Sequence, residues 1–319
     1  MRYRKFGNSD LEVSEIGFGA WAIGGPAALG EHVTGWGDVD DKTSMQTLAA
    51  CLELGINFID TADAYGNGHS EELVGQAFAD KRDQVIICTK GGNRIMPDGQ
   101  WSKDFSAGWI KQACEASLRR LQTDYVDIYL YHTPRGQLEF VPEEFEVLEQ
   151  LKAEGKTRYY GISIDTVADG LQVLECGCAE AIQVVYNILD REAELEFFPQ
   201  AAKQGVGIID RVPLASGFLT GKYGPDTVFE KNDHRSQFSR EKIEWSARQA
   251  EKLGELIAAD SRTMAQVALQ FCLANPAVSV VIPGAKTPEQ LRQNVKASEL
   301  GPLTGEELAR IEQIIEAPV

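Results

Sequence analysis

No stretch of Lys and Arg in this chain is dense enough to meet a run of phosphates, and 31 basic residues face 48 acidic ones, for a formal charge of -17. That balance excludes a nucleic-acid or anionic-membrane surface, which needs clustered cations. It also means that an anionic ligand must be caught by a few local basic groups. Histidine is scarce, with four in all, and none forms a metal-binding pattern with the six cysteines. Cys176-Gly-Cys178 is the only close cysteine pair, and its spacing is that of neither a zinc site nor a thioredoxin-type motif. No metal is expected. In a chain of 319 residues that needs no covalent staple, the six thiols are expected to be reduced and buried. No apolar run approaches the length of a membrane span, and the basic start Met1-Arg-Tyr-Arg-Lys is not followed by an apolar core. The default expectation is a cytoplasmic protein without membrane or nucleic-acid partners. A phosphate-binding turn of spacing G-x-G-x-x-G is missing too. The first strand leads into Gly17-Phe-Gly19-Ala-Trp21, which is glycine-rich but wrongly spaced and opens no helix, and this counts against a doubly wound sheet.

What is present is ordinary globular material, 43% hydrophobic and 25% charged, enough to bury a full core. Strand-like runs at 15–18, 57–60, 85–90, 126–132, 159–164, 181–186, 207–212 and 278–282 alternate with amphipathic segments such as 44–54, 70–78, 106–121, 145–154, 190–204, 263–274 and 288–295. Eight strands with helices between them predict an α/β fold, a (β/α)8 TIM barrel, as one domain over residues 1–319. Residues 2–6 and 11–13, split by Gly7-Asn-Ser-Asp10, read as an N-terminal β-hairpin that plugs the barrel bottom. After strand seven, residues 217–239 form a stretch rich in Gly, Pro, Asp, Asn and Ser, too long for a plain connection, and read as a lid or binding loop.

Three consecutive strands end on one titratable side chain each: Asp60, Lys90 and His132, with Tyr65 just past the first. Barrel enzymes place their chemistry at these strand ends. Singly, each residue has a plainer use: Asp60 as a turn cap, Lys90 as a solvated loop lysine, His132 as a core histidine, Tyr65 as a packing aromatic. Together they are complementary. A tyrosine's ordinary pKa, near ~10, is too high for ready proton delivery. An ammonium from Lys90, pinned by Asp60, is expected to lower it, while His132 orients a carbonyl or alcohol oxygen.

The segment Gly55-Ile-Asn-Phe-Ile-Asp60-Thr-Ala-Asp-Ala-Tyr65-Gly, with Ser70-Glu71, the lysine strand Val85-Ile-Ile-Cys-Thr-Lys90 and the histidine strand Asp124-Tyr-Val-Asp127-Ile-Tyr-Leu-Tyr-His132, resembles the aldo-keto reductase family, over almost the whole chain. The resemblance implies an NADPH-dependent oxidoreductase that reduces an aldehyde or ketone, with Tyr65 as general acid, Asp60 and Lys90 as its tuning pair and His132 as substrate orienter. It also implies Ser163 and Gln183 at the nicotinamide carboxamide, although Ile164 stands where many members have asparagine. Gly19, Ala20 and Trp21 after strand one, and Arg211, Val212, Pro213, Leu214 and Ser216 after strand seven, are implied cofactor contacts. Arg211 replaces a common aromatic, and its planar guanidinium can also lie on a ring. This variant resembles the branch that holds potassium-channel β subunits and related bacterial reductases, which implies Lys222 at the diphosphate and Arg235 toward the adenosine end. Strand eight and the capped helix at Thr287-Pro288 offer an anion site to which Lys286 adds charge. With Gly284 and Gln290 in place of the family's frequent lysine and arginine, NADP preference rests mainly on Lys286, and Asn294, with Gln290, is implied at the adenine.

Trp21, Trp101 and Phe218 are expected to wall the substrate site, and Arg94 to attract an anion. Two other readings stay open: a redox-sensing partner protein with little turnover, and a Schiff-base aldolase or isomerase using Lys90. The implied partner is a small carbonyl compound, and the protein a monomer or small homo-oligomer.

Overall fold

The computed structural model describes residues 1–29, 32–95, 101–257 and 261–315. Strands β1 (Tyr3–Lys5) and β2 (Glu12–Ser14) form an antiparallel hairpin. The barrel strands are β3 (Phe18–Gly19), β6 (Phe58–Asp60), β7 (Ile86–Gly91), β10 (Val126–His132), β11 (Thr157–Ser163), β12 (Ala181–Val185), β13 (Gly207–Arg211) and β14 (Val278–Val281). They lie side by side in chain order, all parallel. The ring closes through parallel bridges Ile16–Val281 and Gly19–Gly284, with Gly17 N–H donating to Val281 at 2.8 Å and Val281 N–H to Glu15 at 2.9 Å. Two hairpins, β4 (Ala27–Leu29) with β5 (His32–Thr34) and β8 (Asn93–Ile95) with β9 (Trp101–Lys103), rise from strand ends. The TIM barrel is as expected, though strand one sits later than 15–18 because residues 15–17 are spent on the seam with β14.

Helices α1 (Asp41–Glu53), α2 (His69–Phe78), α3 (Ala107–Leu121), α4 (Pro142–Ala153), α5 (Val167–Cys176), α6 (Phe197–Gln204), α7 (Arg240–Leu256), α8 (Met264–Ala274), α9 (Pro288–Leu300) and α10 (Gly305–Ile314) follow the sheet. Their starts are written locally. Asp40, Ser106, Thr166, Thr263 and Thr287 each accept a first-turn N–H, and Pro288 occupies a position whose N–H would have no helical partner. The helix expected over 190–204 begins only at Phe197, because Asn187 and Asp190 exchange backbone hydrogen bonds in a tight turn that is followed by a short 3-10 turn at Glu192–Glu194. None of the described helices is long and apolar enough to cross a membrane.

Side chains alternate along each strand. The inward set, Phe58, Ile86, Cys88, Ile128, Leu130, Ala181, Ile209 and Val280, packs with Phe6, Leu11 and Val13 of the hairpin. The hairpin is therefore the barrel's floor, as expected. Phe6 enters because Gly207 has no side chain: a Cβ there would lie 2.1 Å from the Phe6 ring. Arg4 fixes the hairpin to the far end of the chain, donating to the carbonyls of Leu273, Asn275 and Val278 and pairing with Glu15 at 2.8 Å. Cys51, Cys88, Cys114 and Cys272 are free and buried, as expected. Gly177, at φ 68°, turns the chain back on itself at the end of α5 and brings the Cα atoms of Cys176 and Cys178 to 5.2 Å.

Candidate active site

Each inward-facing series ends at the barrel mouth on a polar residue, so that 58-60, 86-88-90, 128-130-132, 181-183 and 209-211 deliver Asp60, Lys90, His132, Gln183 and Arg211 to one place. Lys90 is wholly buried, and its ammonium donates to Asp60 Oδ2 at 2.8 Å, to the Thr61 carbonyl at 2.7 Å and to Tyr65 Oη at 3.3 Å. An ammonium has three protons, and all three are assigned. Burial works to lower its pKa, but Asp60 and Tyr65 outweigh burial and hold it above the ordinary lysine range. Asp60 takes its other bond from Gln183 Nε2 at 2.7 Å, and Gln183 Oε1 accepts from Ser163 Oγ at 3.4 Å.

Tyr65 lies on a 3-10 turn (Tyr65–Gly68) directly after β6, its ring stacked on Trp21 at 5.7 Å and meeting His132 edge-on at 5.8 Å. The expected lowering of its pKa is not the net result. Burial raises the phenol above its ordinary value, with the Lys90 ammonium pulling the other way. His132 is pushed well below the ordinary histidine value by burial, with Lys103, Lys90, Arg211 and Arg135 adding positive charge, so its ring is neutral.

Three residues not singled out from the sequence complete this side. Asn93 Nδ2 lies 2.9 Å from His132 Nδ1 and 2.8 Å from Asp63 Oδ1. Lys103 Nζ donates to the His132 carbonyl. Burial raises Asp63 to about 7 and lowers Lys103 to about 8. Asp63 stood inside the quoted motif, but nothing in its spacing set it apart. Asn93 lies beyond the strand, past Gly91-Gly92, where strand alternation no longer predicts direction.

The remaining candidates divide by location. Gly19 leaves no room for a Cβ, which would lie 2.8 Å from the Ile282 carbonyl, and Ala20 and Trp21 open a 3-10 turn beside Tyr65. After β13, Val212 (φ 59°), Ala215 (φ 47°) and Ser216 (φ 57°) hold left-handed backbone, a rare state for a β-branched residue such as Val212; Pro213 and Leu214 lie between them. Arg211 donates to the Ile164 carbonyl at 2.9 Å, while its Nε is buried without a partner. Lys222 is exposed. Arg235 is buried, paired with Asp233 at 2.6 Å, donating to the Ser216 carbonyl and surrounded by Trp36, Tyr223 and Phe229.

Lys286 Nζ is engaged by the carbonyls of Trp36, at 2.6 Å, and Asp38, at 3.0 Å, and Gln290 accepts from the Lys286 N–H. Gly284 is exposed, and a Cβ there would meet Ala22 at 3.1 Å. Asn294 is buried with Nδ2 unpartnered. One expected wall residue, Phe218, and the expected anion-attracting Arg94 fall differently. Phe218 packs inward with Ile243 and Ala247 under α7, away from any wall, and Arg94 is neutralised by Asp104 at 2.6 Å. Trp101 stays half-buried beside the Lys103 ammonium.

Residues 15–316 match the Aldo/keto reductase family. The chain is 35% identical to the NADH-specific methylglyoxal reductase of Escherichia coli, covering 93% of each chain. It is 32% identical to a probable voltage-gated potassium channel subunit beta of Arabidopsis thaliana, over 99% of this chain and 97% of that one. Among solved structures, the holo form of an aldo-keto reductase from Bacillus halodurans superposes with a TM-score of 0.83 at 36% identity, covering 100% of this chain and 98% of that one.

Proposed function

Because the chain belongs to the aldo/keto reductase family, we propose that it is a working reductase, one catalytic barrel that converts an aldehyde or ketone to an alcohol with NADPH and uses Tyr65 as general acid. The observation that carries this reading is the threefold engagement of Lys90. Because Lys90 donates to Tyr65 Oη, the phenol's own proton is free to point into the pocket. The raised pKa keeps that proton on the tyrosine at neutral pH. As the proton leaves, the growing phenolate meets an ammonium already in place, which stabilises the product side of the transfer.

Orphaned donors at Arg211 and Asn294 and the bare backbone at Gly19 fit a nicotinamide dinucleotide laid across the mouth. Ser163 and Gln183 would hold its carboxamide, Arg211 would lie at its ring, and the turn from Val212 to Ser216 with Lys222 would hold its diphosphate. Arg235 would brace that turn through the Ser216 carbonyl, and Lys286, Gln290 and Asn294 would meet its adenosine end. When bound, it supplies the hydride. The same bonded set argues against the Schiff-base reading, since Lys90 has no free lone pair for a carbonyl carbon.

Tyr65→Phe is expected to lose at least ~10²-fold in turnover while binding the reduced cofactor as wild type does in a fluorescence titration; full activity would sink the mechanism. NADPH preference rests on Lys286, two of whose three donors are already taken. The expected advantage over NADH is therefore about fivefold or less, worth ~1 kcal/mol, and Lys286→Met should abolish it. That the Escherichia coli relative is named NADH-specific accords with a weak phosphate site.

A further inference from the structure

We propose that Asn93 is a positioning residue that fixes His132 in the tautomer with the proton on Nε2, and that Asp63 in turn fixes the orientation of the Asn93 amide. The inference deepens the reductase reading, on which only its kinetic part rests.

The hydrogen-bond inventory forces the assignment. A side-chain amide nitrogen carries two protons and accepts nothing. Asn93 Nδ2 lies between Asp63 Oδ1, at 2.8 Å, and His132 Nδ1, at 2.9 Å, so both neighbours must accept. Above about pH 7, where Asp63 is ionised, its carboxylate only accepts, so it dictates that nitrogen rather than oxygen of the amide faces this way. Nδ1 then presents its lone pair, and a neutral imidazole keeps its proton on Nε2. Asp63 does not do this directly, since its oxygen is 3.9 Å from Nδ1. Four cations around the ring, Lys103, Lys90, Arg211 and Arg135, oppose a second proton. The ring stands at 85° to Tyr65. One hydrogen bond from Nε2–H to a carbonyl oxygen, beside the Tyr65 hydroxyl, would orient that oxygen for protonation. The other tautomer would present a lone pair and repel it.

The β8–β9 hairpin is built to hold this arrangement. Asn93 and Lys103 are cross-strand partners, so one pair of residues reaches His132 at both its ring and its backbone carbonyl. The Asn93 carbonyl accepts from Trp109 Nε1 at 3.2 Å, and Arg94 ties the hairpin to Asp104 and stacks over Trp109.

With only four histidines in the chain, 15N-histidine labelling of the intact protein, assigned by loss of one signal set in His132→Gln, reads the tautomer directly. Wild type is expected to show His132 protonated on Nε2 alone. Asn93→Asp, nearly isosteric and made in an Asp63→Asn background so that two carboxylates do not share a proton, supplies only acceptors to the ring and is expected to move the proton to Nδ1; Asn93→Leu is expected to give a mixture. Both variants should lose roughly a hundredfold in kcat/KM for a carbonyl substrate, with NADPH affinity unchanged. An unmoved tautomer in Asn93→Asp overturns the proposal, and if Asn93→Leu does not fold the isosteric variant still decides. A tautomer that moves without loss of turnover upholds the role of Asn93 and overturns instead the assignment of His132 as substrate orienter.

Discussion

At the scale of single residues, the site is a set of constraints on where protons sit. Lys90 spends its three protons, which leaves the Tyr65 proton outward; Asn93 spends two, which leaves the His132 proton outward. Asp63 carries the cost, a carboxylate buried until its pKa reaches about 7. Between the unfolded value, near ~4, and 7, the folded protein holds a proton that the unfolded chain has released, so this contribution to stability is full at acid pH and is lost as pH rises through 7. Asp63→Asn removes it. Thermal melts from pH 5 to 8 should therefore show wild type gaining on the variant as the pH falls, and a constant difference would contradict the assignment. Asp60, Lys90 and His132 were legible in the sequence because each ends an apolar inward series. Asn93 was not, because a glycine at φ 115° precedes it and breaks the alternation. Lys286 was legible as a cation, whereas its engagement by carbonyls from residues 36 and 38 depends on a contact some 250 residues away.

Whole elements explain why the recognisable motif is longer than its chemistry. Ser70 at the start of α2 donates to the Ala20 carbonyl, and Glu71 accepts from Thr89 of β7 and pairs with Arg120 of α3. These residues lock the helix that follows Tyr65 to the turn after β3 and to the strand that carries Lys90. The stretch from 217 to 239 was legible as more than a connection, but its form was not. Instead of a loose flap it has a small core of its own, Phe218 with Tyr223, Phe229 and Phe238, pressed on α7. Arg235 belongs to that core as much as to any ligand. Arg235→Ala leaves Asp233 buried and unpaired and is expected to cost about 3 kcal/mol in urea unfolding. A loss confined to cofactor affinity, with unfolding unchanged, would show that its place is at the ligand instead. The β4–β5 and β8–β9 hairpins, with strands of three residues each, were not read from the sequence.

For the whole molecule, the barrel divides into a hydrophobic floor and a polar mouth, and the two should respond independently to substitution. Phe6→Ala opens the floor where Phe58 and Gly207 meet it. The expected result is a loss of about 3 kcal/mol in stability with KM unchanged, and a raised KM would mean that floor and mouth are coupled. The barrel itself was legible from eight short apolar runs, because parallel strands buried on both faces leave no polar alternation to confuse them. The seam was not, since its partners lie at opposite ends of the chain. Arg4 finds its carbonyls 269 to 274 residues away, and Ser298 reaches back to Glu15. The ring therefore has an order of assembly imposed by synthesis. While the ribosome is still making β14, every earlier strand can find its neighbour, yet β3 must wait with an open edge and Arg4 of the floor hairpin lacks the Val278 carbonyl. Until β14 has left the ribosome the nascent sheet stays unclosed, and that one strand decides when the mouth is complete.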